Sequence, residues 1–303
     1  MAVQIIAQAV RGFLMGAADI VPGVSGGTVA LVLGIYHRLI TNVRTGSSAL
    51  GRFVRADLRG GFDKLREVEW LFLIPLGAGI GAAIVALSHT IERLLEDEPV
   101  NMAALFFGLV VGSIVIASTL VRSWDVQRFA VLGGVAVVAF VLLGLRSGPV
   151  EDPALWVFFG SGAIAICAMI LPGVSGSFLL LMLGMYDTVL AAVTDRDISA
   201  LGVFMLGAVV GLALFSQVLH WGLVNHERTV LAGLIGLMVG SLRVLWPWPD
   251  GTDGTEVSGP QGDWWVPVGL AVLGALVVVA ITKLGERFED RTDDDLATEL
   301  QTP

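Results

Sequence analysis

The chain has 303 residues, 55% of them hydrophobic and 15% charged, with a mean hydropathy of +0.82. A soluble domain carries about 25% charged residues, so an ordinary water-soluble globule is excluded. The net charge of −9 sits largely in acidic loops and an Asp/Glu-rich C-terminal tail, which argues against nucleic acid as a partner, and the lone Cys167 excludes an intrachain disulfide or a cysteine-built metal site.

Residues 5–40 form the first apolar region. Arg11 lies inside it and no basic start is followed by a small-residue cleavage site, so the segment is expected to stay in the mature protein. The string Pro22-Gly-Val-Ser-Gly26 interrupts it. At 1.5 Å per residue the region is too long for one crossing of a hydrocarbon layer about 30 Å thick, and the break predicts two short helices. Residues 41–68 are polar and rich in Arg, the pattern of an interfacial helix and loop. Apolar stretches at 69–90, 101–121 and 129–146 are each long enough to span a bilayer. A second broken region, 154–193, carries Pro172-Gly-Val-Ser-Gly176. Further spans are expected at 201–222, 230–246 and 264–284, with a Pro/Gly/Asp loop at 247–263 and a charged tail at 286–303.

The two broken regions are copies of each other. A shift of 150 residues superimposes Ala18–Tyr36 on Ala168–Tyr186 with eleven identities in nineteen positions, among them Pro22/Pro172, Gly34/Gly184 and Tyr36/Tyr186. Leu76-Gly-Ala78 recurs as Leu206-Gly-Ala208, and Gly108-Leu-Val-Val-Gly-Ser113 as Gly236-Leu-Met-Val-Gly-Ser241. Conserved order marks an internal duplication, with residues 1–147 as the first repeat and 148–285 as the second. If each broken region is a re-entrant hairpin, each half has three full spans, an odd number, and the halves are inverted. With the 41–68 loop inside, thirteen Lys and Arg fall on the inner side and four (Arg93, Arg146, Arg196, Arg243) on the outer side. Treating each region as a single span gives eleven against six. The positive-inside rule therefore favours the hairpins, with both termini in the cytoplasm. The predicted fold is an all-α polytopic membrane protein, an inverted repeat whose halves each hold one re-entrant helical hairpin plus three transmembrane helices.

Breaks at membrane depth are tolerated only where they are buried in protein or face a watery cavity. In inverted-repeat transporters, half-helix N-termini at such breaks point at anionic groups. Here the second half-helices begin near Gly27 and Ser177, where free amides carry the positive end of the helix dipole. Gly23, Gly26, Gly27, Gly173 and Gly176 let a ligand approach the backbone, and Ser25, Thr28, Ser175 and Ser177 add hydroxyl donors. A phosphate suits this arrangement, with Pro22 and Pro172 breaking the helices. Arg11 is a candidate for bidentate phosphate contact. Asp19, eight residues on and on roughly the same face, is a candidate for coupling to a proton or sodium gradient. The bland alternatives are mutual neutralisation or snorkelling of Arg11 to the interface. The second copy has Met169 at the place of Asp19, so the halves are chemically unequal. Tyr36 and Tyr186 end their half-helices and read as interfacial anchors. His89, Gln217, His220, Asn225 and His226, near span ends, read as interfacial or structural.

Gly23-Val-Ser-Gly26 and Gly173-Val-Ser-Gly176 also match the Gly-x-Ser-Gly of rhomboid-type intramembrane proteases. A serine nucleophile needs a histidine base within hydrogen-bond reach. Of the four histidines only His220 lies suitably, and it cannot serve two serines. Metal-dependent hydrolysis lacks a His/Asp/Glu cluster. A non-enzymatic transporter without a cofactor or metal is expected, and a carrier of a small soluble anion stays open beside a lipid carrier.

The strings from Arg11 to Thr28 and from Ala165 to Phe178 resemble the two signatures of the PopT family, and the resemblance covers essentially the whole chain. It implies a translocase for polyprenyl phosphate in the cell (plasma or inner) membrane. Such a protein returns undecaprenyl phosphate from the outer to the inner leaflet for reuse in envelope synthesis. By the same resemblance Arg11, Asp19, Pro22, Gly23, Ser25, Gly26, Gly27 and Thr28 belong to the first motif, and Pro172, Gly173, Ser175, Gly176 and Ser177 to the second. The family often carries Asn at the position of Asp19, so the resemblance does not assign that residue an acid's role.

Overall fold

The computed structural model describes residues 2–20, 24–145, 150, 153–251 and 257–299, and among these there is no strand. The first broken region gives three helices, α1 (Ala2–Asp19), α2 (Gly26–Val32) and α3 (Tyr36–Val54). After α4 (Leu58–Glu67) come α5 (Trp70–Asp97), α6 (Pro99–Leu120) and α7 (Val126–Leu142). The second broken region repeats the pattern as α8 (Leu155–Ile170), α9 (Gly176–Met182) and α10 (Tyr186–Thr194). Two long helices, α11 (Ile198–Ser241) and α12 (Trp265–Glu299), close the chain.

Each apolar region is thus broken twice, where one break is expected. The second interruption falls at Gly34 (φ +70°) and Gly184 (φ +67°), left-handed positions where the absence of a Cβ removes the steric cost. Beyond it the chain turns sharply: α9 and α10 meet at 108°. The signal was present in the repeat, as Gly34/Gly184 followed two residues on by Tyr36/Tyr186. Those tyrosines open new helices rather than ending the half-helices. The interfacial segment expected at 41–68 is the remainder of α3 followed by α4. Its end is tied to the start of α5, because Asn42 Nδ2 donates to Glu69 Oε1 at 3.1 Å and Glu69 N donates to Asn42 Oδ1 at 2.8 Å. The Arg38 guanidinium and Asn42 hold the Glu69 carboxyl below its ordinary range.

Four helix pairs dominate the packing: α1 with α5, α8 with α11, α6 with α12, and α7 with α11. Small residues let the backbones touch. Gly12 abuts the Leu76 carbonyl and Gly16, one turn on, abuts Ile80, so α1 and α5 run parallel. In the other half Gly207 abuts Phe159 and Gly211 abuts Ala163, so α8 and the first part of α11 are parallel too. Gly79 lies against Ala9 as Gly207 lies against Phe159, which makes Gly79 and Gly207 equivalent. They are 128 residues apart, as are Gly108 and Gly236. The Leu-Gly-Ala strings, 130 apart, are therefore not in structural register, although the glycine they led to is part of the repeat.

The remaining pairs cross between the halves. Gly108 and Gly112 of α6 lie on Ala271 and Ala275 of α12, while Gly236 and Gly240 of α11 lie on Leu132 and Ala136 of α7. Each half lends its last long helix to the other.

Among the described residues three helices are long and apolar enough to cross a membrane, namely α5, α6 and α11, or four crossings if α9 and α10 are taken as one bent span. Six were expected. The difference has a local cause in each case. α11 takes in two of them, joined across non-helical backbone at His226 (φ −139°, ψ 38°). α7 has only 17 residues, about 25 Å of rise. α12 is apolar only over 265–280 before charges begin. Large apolar side chains such as Val85, Leu71, Leu214 and Val218 stand exposed on α5 and α11. Such faces suit a lipid solvent.

Candidate functional site

The described residues of both breaks, Val24–Gly26 and Pro172–Gly176, are buried, and the two breaks touch. Ser25 stands in extended backbone (φ −131°, ψ 136°) and caps α2, its Oγ accepting from Gly27 N at 3.1 Å. The same hydroxyl lies 3.3 Å from Met169 O and 3.2 Å from Leu171 O, the carbonyls beside the second break, to which it can donate. Thr28 Oγ1 accepts from Gly173 N at 2.8 Å. Tyr36 donates its hydroxyl to Ile170 O at 3.2 Å. Three hydroxyls of the first motif thus satisfy backbone groups that the second break leaves without helical partners, which a buried break requires. Gly27 sits so close to Ile170 that a Cβ there would lie 2.7 Å from its carbonyl oxygen.

Asp19 ends α1, and its Oδ1 accepts from Gly26 N at 2.6 Å. The carboxylate therefore occupies the positive N-terminal end of α2, the place a phosphate was expected to take. Thr28 N is bonded to Ser25 O, so the first amides of α2 are all engaged. Arg11 is half-buried on α1, about 12 Å along the axis from Asp19.

The second motif is arranged differently. Gly173 has φ +86° and packs on Met238 and Ser241 of α11. Ser175 begins α9 without a side-chain cap, and its hydroxyl pairs with that of Ser177 at 2.8 Å. Pro172, Gly173, Ser175 and Gly176 are buried, whereas Ser177 is exposed. Of the expected site residues, Ser25, Gly26, Gly27, Thr28, Gly173, Ser175, Gly176 and Ser177 come together around the two breaks. Pro22 and Gly23 lie outside the described residues.

Tyr36 corrects the anchoring expectation. It is 3% exposed and bonded to the other motif, while Tyr186 is 39% exposed and free to face an interface. Sequence identity between the two tyrosines concealed the difference, because only the first faces unpaired carbonyls. His220 approaches neither motif serine in the hydrogen bonds of the described residues. Its Nδ1 lies 3.4 Å from Thr41 Oγ1, and its ring stands 6.0 Å from that of His37. The serine hydroxyls are bonded to carbonyls or to each other.

A family model described as "VCA0040-like: Undecaprenyl phosphate translocase-like" matches residues 15–260. A Vibrio cholerae serotype O1 protein named polyprenyl-phosphate transporter is 41% identical over 241 residues, covering 79% of this chain and 77% of that one. A Staphylococcus aureus protein of the same name is 28% identical over 255 residues, covering 78% of this chain and 84% of that one. No solved structure matches the chain.

Proposed function

Because the chain belongs to the VCA0040-like family of undecaprenyl phosphate translocase-like proteins, we propose that it transports polyprenyl phosphate, returning undecaprenyl phosphate from the outer to the inner leaflet of the cell membrane. The relatives' names supply the substrate class. The observation that carries the reading within this chain is the meeting of two buried breaks 150 residues apart, with Ser25 and Thr28 of one bonded to the backbone of the other. Paired breaks from two repeats are where transporters place a substrate and its gate.

Parallel packing of α1 on α5, and of α8 on α11, supports reading each broken region as a re-entrant hairpin. A chain that runs one way in α1 and the same way in α5 has to double back between them. The halves are then inverted, both termini lie in the cytoplasm, and the hairpins rock against the long helices in alternating access. The phosphate is held at the tips, with the lipid tail remaining in the bilayer. It meets Ser175, Ser177 and the uncapped amides of α9 first. Reaching Gly26 and Gly27 requires Asp19 to release the end of α2, and Arg11 on α1 is the cation that would follow the headgroup.

In this reading Asp19 is an internal stand-in for phosphate, and protonation or sodium binding at its carboxylate is what frees the site. Asp19→Asn keeps an oxygen acceptor for Gly26 N and removes the charge. We expect it to retain the fold while gradient-driven transport in vesicles falls at least about ten-fold, a barrier change of about 1.4 kcal/mol. Asp19→Leu removes the acceptor and should also destabilise the protein by about 1–2 kcal/mol. Unaltered transport in Asp19→Asn would leave Asp19 as a cap and nothing more.

The transport reading itself is tested by depleting the protein in cells that lack redundant translocases. Surface-exposed undecaprenyl phosphate, measured with a headgroup-binding antibiotic, should rise. An unchanged surface level sinks the lipid assignment and returns a soluble anion to first place.

A further inference from the structure

A cavity of about 440 Å³ lies between the α2–α3 turn, the end of α6 and the His226 kink of α11, with Tyr36, which bonds to the second break, in its wall. Its inner wall is apolar, formed by Leu31, Leu120, Leu223 and Leu231. Its polar groups include Arg122, Arg228, His37 and a single acid, Glu227. Arg228 Nη1 donates to Ser123 Oγ at 3.0 Å, which fixes it across the gap between α6 and the kink. Arg128 pairs with Asp125 and donates to the Ser123 carbonyl and, at 3.1 Å, to the same Ser123 hydroxyl. Two guanidinium groups above a greasy wall are the chemistry of a site for a phosphomonoester carried on a hydrocarbon.

The repeat supplies the comparison that gives this cavity meaning. Ser123 lies on Arg228 at this end, and at the other Gly251 lies on Pro99, one residue before the Val100 that the offset pairs with Arg228. The 128-residue offset therefore holds to within one residue through these turns. Arg122 then corresponds to Asp250, and Arg228 to Val100. By the offset of the motif, His37 corresponds to Asp187. Asp97 and Glu98 directly precede Pro99. Of the arginines assigned to that side, Arg243 is stacked on Phe140, while Arg93 and Arg196 stand on α5 and just after α10. Where this cavity carries Arg122, Arg228 and His37, the equivalent positions of the other half carry Asp250, Val100 and Asp187.

We infer that the Arg122–Arg228 cavity is the docking site for the phosphate headgroup of a lipid at the face bearing the 41–68 segment. Its acidic counterpart makes a headgroup's passage from that end to this one electrostatically downhill. The inference rests on the transport reading above and adds to it a second phosphate site, distinct from the breaks, together with a reason for direction. Arginines also collect on the inner side simply because of membrane topology, so the test needs other arginines from that side as its control.

Purified protein in nanodiscs of zwitterionic lipid is titrated with a fluorescent short-chain polyprenyl monophosphate. The cavity variant R122Q/R228Q should bind it at least about ten-fold more weakly, the loss expected when charge-assisted hydrogen bonds to phosphate disappear. The control R55Q/R59Q removes the same charge outside the cavity and should bind within about two-fold of wild type. Equal losses in the two pairs, or none in the cavity pair, overturn the site. If R122Q/R228Q fails to fold, R122K/R228K replaces it. This pair keeps the charge but loses the bidentate fork and should weaken binding by at least about three-fold, and unchanged binding there overturns the site as well. Inorganic phosphate displacing the probe as effectively as unlabelled polyprenyl phosphate would reassign the cavity to a free anion. A wild-type protein that binds polyprenol as well as its phosphate ester would bring down the transport reading, and this site with it.

Discussion

Replacing Gly173 by Ala should lower the unfolding free energy by about 2–5 kcal/mol, whereas Gly34→Ala should cost only about 1–2 kcal/mol. Both residues have positive φ, +86° and +70°. Left-handed backbone costs an alanine roughly 1–2 kcal/mol, and at Gly34 that strain is the whole effect because nothing lies within 4 Å of an added Cβ. At Gly173 the methyl group would stand 2.8 Å from Met238 Cα and 2.9 Å from Ser241 Oγ, so the second break would have to lift off α11. That adds an overpacking penalty of about 1–3 kcal/mol. Thermal and denaturant unfolding of the two variants in mild detergent makes the comparison. Equal losses would mean that the break yields at Gly173 and is not clamped by α11.

Thr28→Val should disable transport and destabilise the protein by about 1–3 kcal/mol, despite preserving shape. The valine fills the same buried volume but cannot accept from Gly173 N, leaving a donor with no partner in a dry interior. Thr28→Ser keeps the oxygen and should recover most of the stability. Transport is predicted to fall further than stability alone explains, since the bond joins the two elements that would move relative to each other in the proposed cycle. The check is transport per folded molecule in reconstituted vesicles. Full activity in a stable Thr28→Val protein would dissociate the hydroxyl bridge from the transport cycle.

Much of this was legible before the structure. The repeated Pro-Gly-Val-Ser-Gly strings located both breaks, because proline followed at once by glycine, and by a serine able to cap a new helix, favours a stop and restart over a continuous helix. The apolar stretches located the long helices. The second break at Gly34 and Gly184 was less visible, since a single glycine before an aromatic residue is common in continuous helices. The use of Ser25 and Thr28 was invisible for a different reason. Their partners are backbone atoms of residues 169–173, and a carbonyl has no letter of its own in the sequence. The same holds for Asp19: the sequence placed an acid near a helix start, but only the fold shows that Gly26 N is what it caps. The basic cavity could not be read at all, because His37, Arg122 and Arg228 are far apart in the chain and ordinary one at a time.

The exchange of last helices between the halves bears on how the chain is made. Residues 108–112 leave the ribosome some 160 residues before 271–275, the surface they are shaped for. Throughout that interval the glycine face of α6 has only lipid or an insertion chaperone beside it. The first repeat cannot mature as a unit and wait for the second. Assembly of that seam is set by the arrival of α12, and contacts so distant in sequence are slow to form. A ribosome that stalls before residue 265 leaves the α6 seam open in the bilayer, the kind of lesion by which membrane proteases recognise an unfinished protein.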